Sequence, residues 1–425
     1  MNLRVFFQIL IVAGILAKFY GLNDPWKRHD HYNFGGIWTS SFAECVRTTP
    51  LAESKGVPHS HCWTSQPNYY RAHPPTVLFA LWGWTSAFGT SEGAHRLFTL
   101  TFSVLNIWLL FLIARRARPE SELFPWIAAA MQSVFLGNIY FGTHLDFICE
   151  FTVSFCLLMA WLALSGRMTA AAFAALAAGI SAWPGYISFG PLLIFAWFRG
   201  RGVKRVLALG VFGFALALAT MMWMHQTFDI LGFLRMKMVD PGYISEREKG
   251  WREPFLFVMN VTQGWARLLS PTLAALAVYE LLRGEGRGLF SSWRRLGSFE
   301  NAVWLAGGTG LLYGFLGHQY FMVHVYLYLL LTPGLALLAA RLIERGVTGE
   351  PITGGWWLTV PALVFAALYP YGIFQSSLAH DVCNSVLLIG GALALIAFAW
   401  GKLRRPWFWP TLVAVAALAN ISQTI

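Results

Sequence analysis

The sequence predicts an all-α protein that crosses a membrane many times, and three observations support this fold class. Hydrophobic residues make up 56% of the 425 residues and charged residues only 12%. The mean hydropathy is +0.54, whereas soluble domains are roughly one quarter charged. Apolar runs of a length that suits transmembrane helices recur along the whole chain. The composition therefore excludes a cytosolic enzyme, a disordered scaffold and a single-span receptor.

The apolar runs predict about 13 transmembrane helices. They lie near residues 3–21, 96–114, 123–141, 147–165, 169–182, 186–198, 206–225, 268–282, 302–317, 324–341, 356–373, 383–400 and 406–424. The N-terminal run resembles a signal peptide, but no small-residue cleavage site is evident before Asn23. An uncleaved first span is therefore expected.

The apolar segment 74–88 is short and begins with two prolines, which leaves two topologies to compare. If it spanned the membrane, Arg115, Arg116 and Arg118 would face outside. If it is a juxtamembrane or re-entrant helix, every short basic loop faces the cytoplasm, in agreement with the positive-inside rule. The second topology is predicted, with the N-terminus inside and the C-terminus outside. The net charge of +11 is then explained by topology, and no nucleic-acid partner is expected.

Two long polar segments, 22–95 and 226–267, are predicted to lie outside and to form helices on the membrane surface. Cys45 and Cys62 both fall in the first of them. A disulfide can form in an extracytoplasmic compartment, but the spacing alone does not distinguish a disulfide from two thiols.

With this topology, five groups of polar residues fall on the outer side. They are His29, Asp30 and His31; Arg71 and His73; His144, Asp146 and Glu150; Trp183 and Tyr186; and His318, His324 and Tyr326. No topological rule requires them to share one side, so they indicate a single site. Structural alternatives remain open, namely a solvated loop for Asp30, helix capping for Asp146 and Glu150, and interfacial aromatic residues for Trp183 and Tyr186.

Transfer of a sugar from a lipid-phosphate donor needs residues of these types. Asp30 is the best candidate for the base that takes the acceptor proton. Cations and hydrogen-bond donors must stabilise the leaving phosphate. The candidates for this role are Arg71, His73, His318, His324 and Tyr326. His29, His31, His144, Glu150, Trp183 and Tyr186 are candidate supporting residues. Asp30 and Asp146 could also hold a divalent metal, although their spacing matches no standard metal motif.

Several of these residues belong to motifs that resemble the GT-C glycosyltransferases. Asp30 follows the first span, and Tyr70-Arg71-Ala72-His73-Pro74-Pro75 comes next. Phe88-Gly89-Thr90-Ser91-Glu92 and Arg96 complete the pattern. It is similar to that of the protein O-mannosyltransferases, the lipid A aminoarabinose transferases and the lipopolysaccharide galacturonosyltransferases. Asp146 and the segment 324–326 resemble later motifs of these groups. The resemblance is clearest over residues 25–190.

The resemblance implies a GT-C-like membrane enzyme that uses a polyprenyl-phosphate sugar and inverts the anomeric carbon. Asp30 would be the base or assist a metal, His73 would contact the phosphate, and Asp146 would support the acceptor or a metal. Residues 1–345 would form the catalytic module, and 346–425 further transmembrane helices without a separate soluble domain. The acceptor would be a lipid, a glycan or a protein, reached from the periplasmic face of a bacterial inner membrane. One departure is His31, because the family commonly has glutamate after the first aspartate.

Two alternatives remain open at this stage. A polysaccharide ligase or polymerase also uses lipid-linked sugars at the outer face, but it would depend on outer-loop arginine and histidine without an essential early carboxylate. A secondary transporter would place polar groups at the bilayer midplane, in broken helices related by a repeat. In this chain the polar groups lie near one surface, and no repeat is evident.

Overall fold

The structure, a computed structural model, describes part of the chain. The described residues are 2–20, 22, 31–48, 56–60, 68–69, 73–143, 150–225, 271–283, 298–316, 329–350 and 408–422. Within them the chain is helical, apart from one antiparallel pair of two-residue strands, β1 (His59–Ser60) and β2 (Asn68–Tyr69). The predicted all-α class is confirmed. The predicted spans 356–373 and 383–400 lie outside the described residues.

The described helices follow the predicted spans closely. They are α1 (Leu3–Tyr20), α2 (His31–Thr48), α3 (Thr76–Phe88), α4 (Glu92–Ala117), α5 (Phe124–Val134), α6 (Leu136–Phe141), α7 (Glu150–Leu164), α8 (Met168–Ser181), a 3₁₀ helix (Trp183–Ser188), α9 (Phe189–Arg199), α10 (Val203–His225), α11 (Pro271–Arg283), α12 (Ser298–Leu316), α13 (Thr332–Val347) and α14 (Phe408–Ser422). In the described part, α1, α4 and α10 are long and apolar enough to cross a bilayer, and several others are shorter apolar helices.

The predicted span 123–141 is divided into α5 and α6, which is a correction to the sequence prediction. The break falls at Phe135, whose backbone is extended. Asn138 donates a hydrogen bond to the carbonyl of Gln132 at 2.8 Å and accepts one from the Thr332 hydroxyl at 3.2 Å. A break in a membrane helix persists only where other groups satisfy the freed backbone. Here the Asn138 side chain of α6 satisfies the Gln132 carbonyl, and Thr332 of α13 holds Asn138.

Basic residues from separate loops gather at one end of the helix bundle, which we call the arginine end. Arg4 lies over the Trp126 ring at 5.1 Å, joining the start of α1 to the start of α5. Arg118, just after α4, forms ion pairs with Glu344 of α13 and with Glu120. The pKa of the Glu120 carboxyl is lowered, mainly by a backbone hydrogen bond and further by the hydrogen bond from the Arg118 guanidinium. These loops share one side of the bundle, as the charge pattern predicts.

The other end, which we call the outer end, carries a separate layer made of α2 and α3. Val77, Leu78 and Leu81 of α3 form a small apolar core with Phe42 of α2 and Phe98 near the start of α4. Because α4 runs from this layer to the arginine end, α3 lies at the end opposite the short basic loops. Its 13 residues and this position fit the predicted juxtamembrane helix.

Helix α14 gives a second check on the topology. Near its start, Trp409 packs so closely on Gly346 of α13 that a Cβ there would lie 2.2 Å from the indole ring. Near its end, Asn420 donates to the carbonyl of Val134 at 2.7 Å, at the far end of α5. The helix therefore runs from the arginine end to the outer end. This direction agrees with the prediction that the two chain termini lie on opposite sides.

The segment Phe88-Gly89-Thr90-Ser91-Glu92 forms the turn between α3 and α4. Gly89 has φ 91° and ψ 172°, a conformation that is essentially restricted to glycine. The Ser91 hydroxyl caps α4 by accepting a hydrogen bond from the backbone N–H of Ala94 at 3.2 Å. Glu92 occupies the first turn, where the helix dipole favours a negative charge. This motif therefore has a structural role as a turn and helix cap.

Replacing Ser91 with alanine is expected to lower the free energy of unfolding by about 1 kcal/mol, because α4 loses its N-cap. Ser86→Ala is a suitable control, since that exposed hydroxyl bonds only to the Trp82 carbonyl of its own helix. Denaturant titration of the detergent-solubilised protein would compare the two variants. Equal effects at both positions would contradict the capping role.

Candidate functional site

Most of the predicted site residues lie outside the described part of the chain. These are His29, Asp30, Arg71, His144, Asp146, His318, His324 and Tyr326. For His31 the structure describes the backbone at the start of α2 but not the side chain. Cys45 is half-buried on α2, and its candidate disulfide partner Cys62 lies outside the described residues. The convergence of these groups and the disulfide therefore stay predictions.

His73 is described and lies where the outer layer begins. It is half-buried and directly precedes the buried Pro74 and Pro75. The carbonyl of Pro75 accepts hydrogen bonds from the backbone N–H groups of Leu78 and Phe79, at 3.0 and 3.1 Å, so α3 begins here. The positive end of the α3 dipole is thus next to His73, and such an end favours an anionic group.

Polar contacts hold α2 against the last turn of α3 and the first turn of α4. One Glu44 carboxylate oxygen lies 3.2 Å from Arg47 and the other 3.4 Å from the His95 ring. Arg47 also donates to the Thr85 hydroxyl at 2.9 Å. The sequence analysis did not single out Glu44 or His95 as site residues. The feature of the sequence that could have indicated His95 is its spacing of four residues from Ser91, the N-cap of α4.

A second polar network lies deeper, between α1, α4 and α7. Lys18 and Glu150 are each 1% exposed, although both are ionisable. Lys18 donates to the Ser103 hydroxyl at 2.5 Å, and Ser103 donates to one Glu150 carboxylate oxygen at 3.1 Å. Asn106 donates to the other carboxylate oxygen at 2.5 Å and accepts from Ser154 at 2.6 Å. Glu150, predicted as a supporting residue on the outer side, is thus buried at the start of α7, with its carboxylate hydrogen-bonded to side chains of α4.

This network borders the segment that contains Asp146. Gly142 lies on one side of the undescribed residues 144–149 and Glu150 on the other. A Cβ on Gly142 would lie 2.9 Å from Lys18 Cδ and 3.0 Å from the Ser103 hydroxyl. Both ends of the segment therefore meet the same pair of side chains. Lys18 and Ser103, which no sequence motif indicated, thus contact residues that flank this segment.

An apolar groove of about 500 Å³ opens on the side of the bundle, between the 3₁₀ helix, α9 and α10. Its lining on α10 extends from Val206 to Met221, a length of about 22 Å at the helical rise of 1.5 Å per residue. Val211 and Phe214, on the same helix, are 62% and 66% exposed, as expected for a surface that faces lipid. The groove is therefore open to the membrane along its length.

Trp183 and Tyr186, both predicted candidate residues, lie at the outer end of this groove. Their rings stack at 6.3 Å with an interplanar angle of 22°. The 3₁₀ helix that carries them packs tightly on α8, since a Cβ on Gly185 would lie 2.0 Å from the Ala178 carbonyl oxygen. Trp183 also packs against the small core formed by α2, α3 and the start of α4. Trp183 therefore contacts both the groove and the outer layer made of α2 and α3.

No group of three histidine, cysteine, aspartate or glutamate side chains that could hold a metal ion occurs among the described residues. The candidate metal ligands Asp30 and Asp146 are not among them. Metal binding at the outer end therefore stays a prediction.

No family model matches this chain, and no curated protein shows significant sequence similarity to it. Two crystal structures of ArnT from Cupriavidus metallidurans are similar to it, one in the apo state and one bound to undecaprenyl phosphate. The alignment with each of them covers 98% of this chain and 75% of the ArnT chain at 16% identity, and the TM-scores are 0.42 and 0.45 respectively.

Proposed function

We propose that this protein is an inverting glycosyltransferase that moves a sugar from a polyprenyl phosphate to an acceptor hydroxyl at the outer surface of the membrane. One observation carries this proposal. An apolar groove that is open to lipid ends at Trp183, and Trp183 packs on the layer that begins after His73. A lipid tail in the groove would thus place its phosphate near the predicted polar site.

The groove suits an isoprenoid chain better than a polar solute. Its lining is almost entirely apolar, and its side faces the bilayer, so a lipid can enter without leaving the membrane. Burial of isoprenoid methyl and methylene groups there would supply binding energy far from the reacting carbon. A transporter for a polar solute would instead require polar groups along such a path.

We propose that the phosphate is held at the start of α3. His73 and the neighbouring Arg71 would supply positive charge or hydrogen-bond donors, and the N-terminus of α3 would add its dipole. As the bond between the anomeric carbon and the phosphate oxygen breaks, its electron pair moves to that oxygen. Donors already in place stabilise this charge without reorganisation.

We propose that Asp30 takes the proton of the acceptor hydroxyl while the acceptor oxygen attacks the anomeric carbon. Attack opposite the leaving phosphate inverts the configuration of that carbon. Asp146 would orient the acceptor, and its segment is flanked by Gly142 and Glu150, which both contact Ser103. The products are the glycosylated acceptor and a free polyprenyl phosphate.

Gly210→Leu is expected to weaken binding of undecaprenyl phosphate by about tenfold or more, because the added side chain fills the groove. Gly210 lines the groove, and a Cβ there meets Phe189 at 3.5 Å, an ordinary contact. Ala208→Leu is the matched control, since Ala208 is exposed on the same helix outside the groove. Native mass spectrometry of the purified protein titrated with undecaprenyl phosphate would measure both affinities. Unchanged binding by Gly210→Leu would contradict the groove as the lipid site.

A further inference from the structure

We propose a second ligand site, at the arginine end of the bundle, which binds the phosphate diester head group of an anionic membrane lipid. It lies at the end opposite the proposed active site and does not depend on the proposed function. The site is a cavity of about 430 Å³ lined by Arg116, Arg199 and Arg201. An adjoining cavity of about 420 Å³ adds Arg167 and Arg205.

The site is built where two loops pack closely together. Gly166, between α7 and α8, and Gly202, between α9 and α10, both have φ +76°, which glycine adopts without strain. A Cβ on Gly202 would lie 2.8 Å from the Met168 Cβ, so the two turns are in direct contact. This packing brings Arg167 and Arg201 together from different loops. The arginine cluster is thus a product of the fold and not of one basic stretch.

The charge of these five arginines is not balanced by carboxylates of the described residues. Within the part of the chain that the structure describes, none of the five forms an ion pair; Arg205 donates only to the Thr169 hydroxyl at 3.3 Å. Three other arginines of the same end are paired with carboxylates, because Arg118 and Arg341 share Glu344 and Arg345 lies 3.6 Å from Glu280. The fold therefore neutralises one group of arginines and leaves the other available for an external anion.

The surroundings favour a lipid as the source of this anion. Ala163, Leu164 and Phe195 form an apolar part of the same cavity, which a free inorganic ion would not use. On α9, Trp197 is 69% exposed, and tryptophan is typical of the membrane–water interface. Basic pockets between transmembrane helices on the cytoplasmic side bind lipid phosphates in other proteins. The sequence predicts that the arginine end faces the cytoplasm, where anionic lipids would meet it.

The test compares two double variants of the full-length protein. Arg116→Gln/Arg201→Gln removes two charges from the cavity. Arg115→Gln/Lys204→Gln removes two charges from exposed neighbours that do not line it. Native mass spectrometry of the purified protein would measure binding of dioleoylphosphatidylglycerol and dioleoylphosphatidylcholine. We expect the wild type and the control to prefer phosphatidylglycerol, and the cavity variant to bind it about tenfold more weakly.

Three results would overturn the proposal. The first is equal affinity of the wild type for the two lipids, and the second is an equal loss in both double variants. The third is displacement of phosphatidylglycerol by inorganic phosphate at a similar concentration, which would indicate a site for a free anion. If the cavity variant does not fold, Arg116→Lys/Arg201→Lys keeps the charge but loses the bidentate geometry of arginine. That variant is expected to bind phosphatidylglycerol more weakly than the control, and equal binding would contradict the site.

Discussion

Replacing Lys18 with methionine is expected to lower the free energy of unfolding by about 3 kcal/mol, because it leaves the Glu150 carboxylate buried without a cation. Both side chains are 1% exposed, and Ser103 links them through hydrogen bonds of 2.5 and 3.1 Å. Methionine has a similar length, so the loss would reflect charge and hydrogen bonding more than volume. Denaturant titration of the protein in detergent would measure the change.

A double-mutant cycle gives this prediction its control. Lys18→Met/Glu150→Gln removes both charges and is expected to recover at least half of the lost stability, since no uncompensated charge remains. Glu122→Gln combined with Lys18→Met should recover nothing, because Glu122 is exposed in the turn before α5. Additive effects of Lys18→Met and Glu150→Gln would mean that the two groups do not act together.

Replacing Asp30 with asparagine is expected to lower the rate of sugar transfer by about 10²- to 10⁴-fold, because an amide cannot accept the acceptor proton. Binding of undecaprenyl phosphate should stay at the wild-type level, since the proposed base does not contact the tail. Asp24→Asn, in the same outer segment, is the matched control. Release of polyprenyl phosphate per unit time is the measurement.

The outcome at Asp30 also separates the two enzymatic alternatives. A wild-type rate for Asp30→Asn would exclude its role as base. It would instead favour a ligase or polymerase that depends on outer-loop arginine and histidine.

The fold class and the sidedness of the loops could be predicted because both depend on patterns along the chain. Apolar length determines which segments can span a bilayer, and loop charge determines their orientation. The arginine loops do share one end, and α14 does run towards the other. These properties require no knowledge of which helices are neighbours.

The break at Phe135 could not be predicted, because it depends on a contact between distant parts of the chain. Asn138, which satisfies the Gln132 carbonyl, accepts a hydrogen bond from Thr332, 194 residues away. In the sequence, residues 123–141 form one continuous apolar run that is typical of a single span. Tertiary packing decides where such a run bends.

The sequence indicated the aromatic residues beside the groove but not the buried polar network around Lys18. Trp183 and Tyr186 were candidates either for function or for an interfacial aromatic belt, and the structure places both at the outer end of the groove. Lys18 was missed because a lysine at the end of a first span ordinarily extends towards the interface. Its partner Ser103 is 85 residues away, so only the fold shows that Lys18 is buried.

The most direct test of the central claim uses the purified protein in proteoliposomes that contain total lipid extracted from bacterial envelopes. Mass spectrometry would follow undecaprenyl-phosphate sugars and free undecaprenyl phosphate, while a labelled-sugar assay in the same vesicles measures solute flux. The proposed function predicts that the wild type consumes the lipid-linked donor and releases undecaprenyl phosphate, that Asp30→Asn does neither, and that no sugar accumulates inside. Concentrative sugar uptake without consumption of the lipid-linked donor would contradict it.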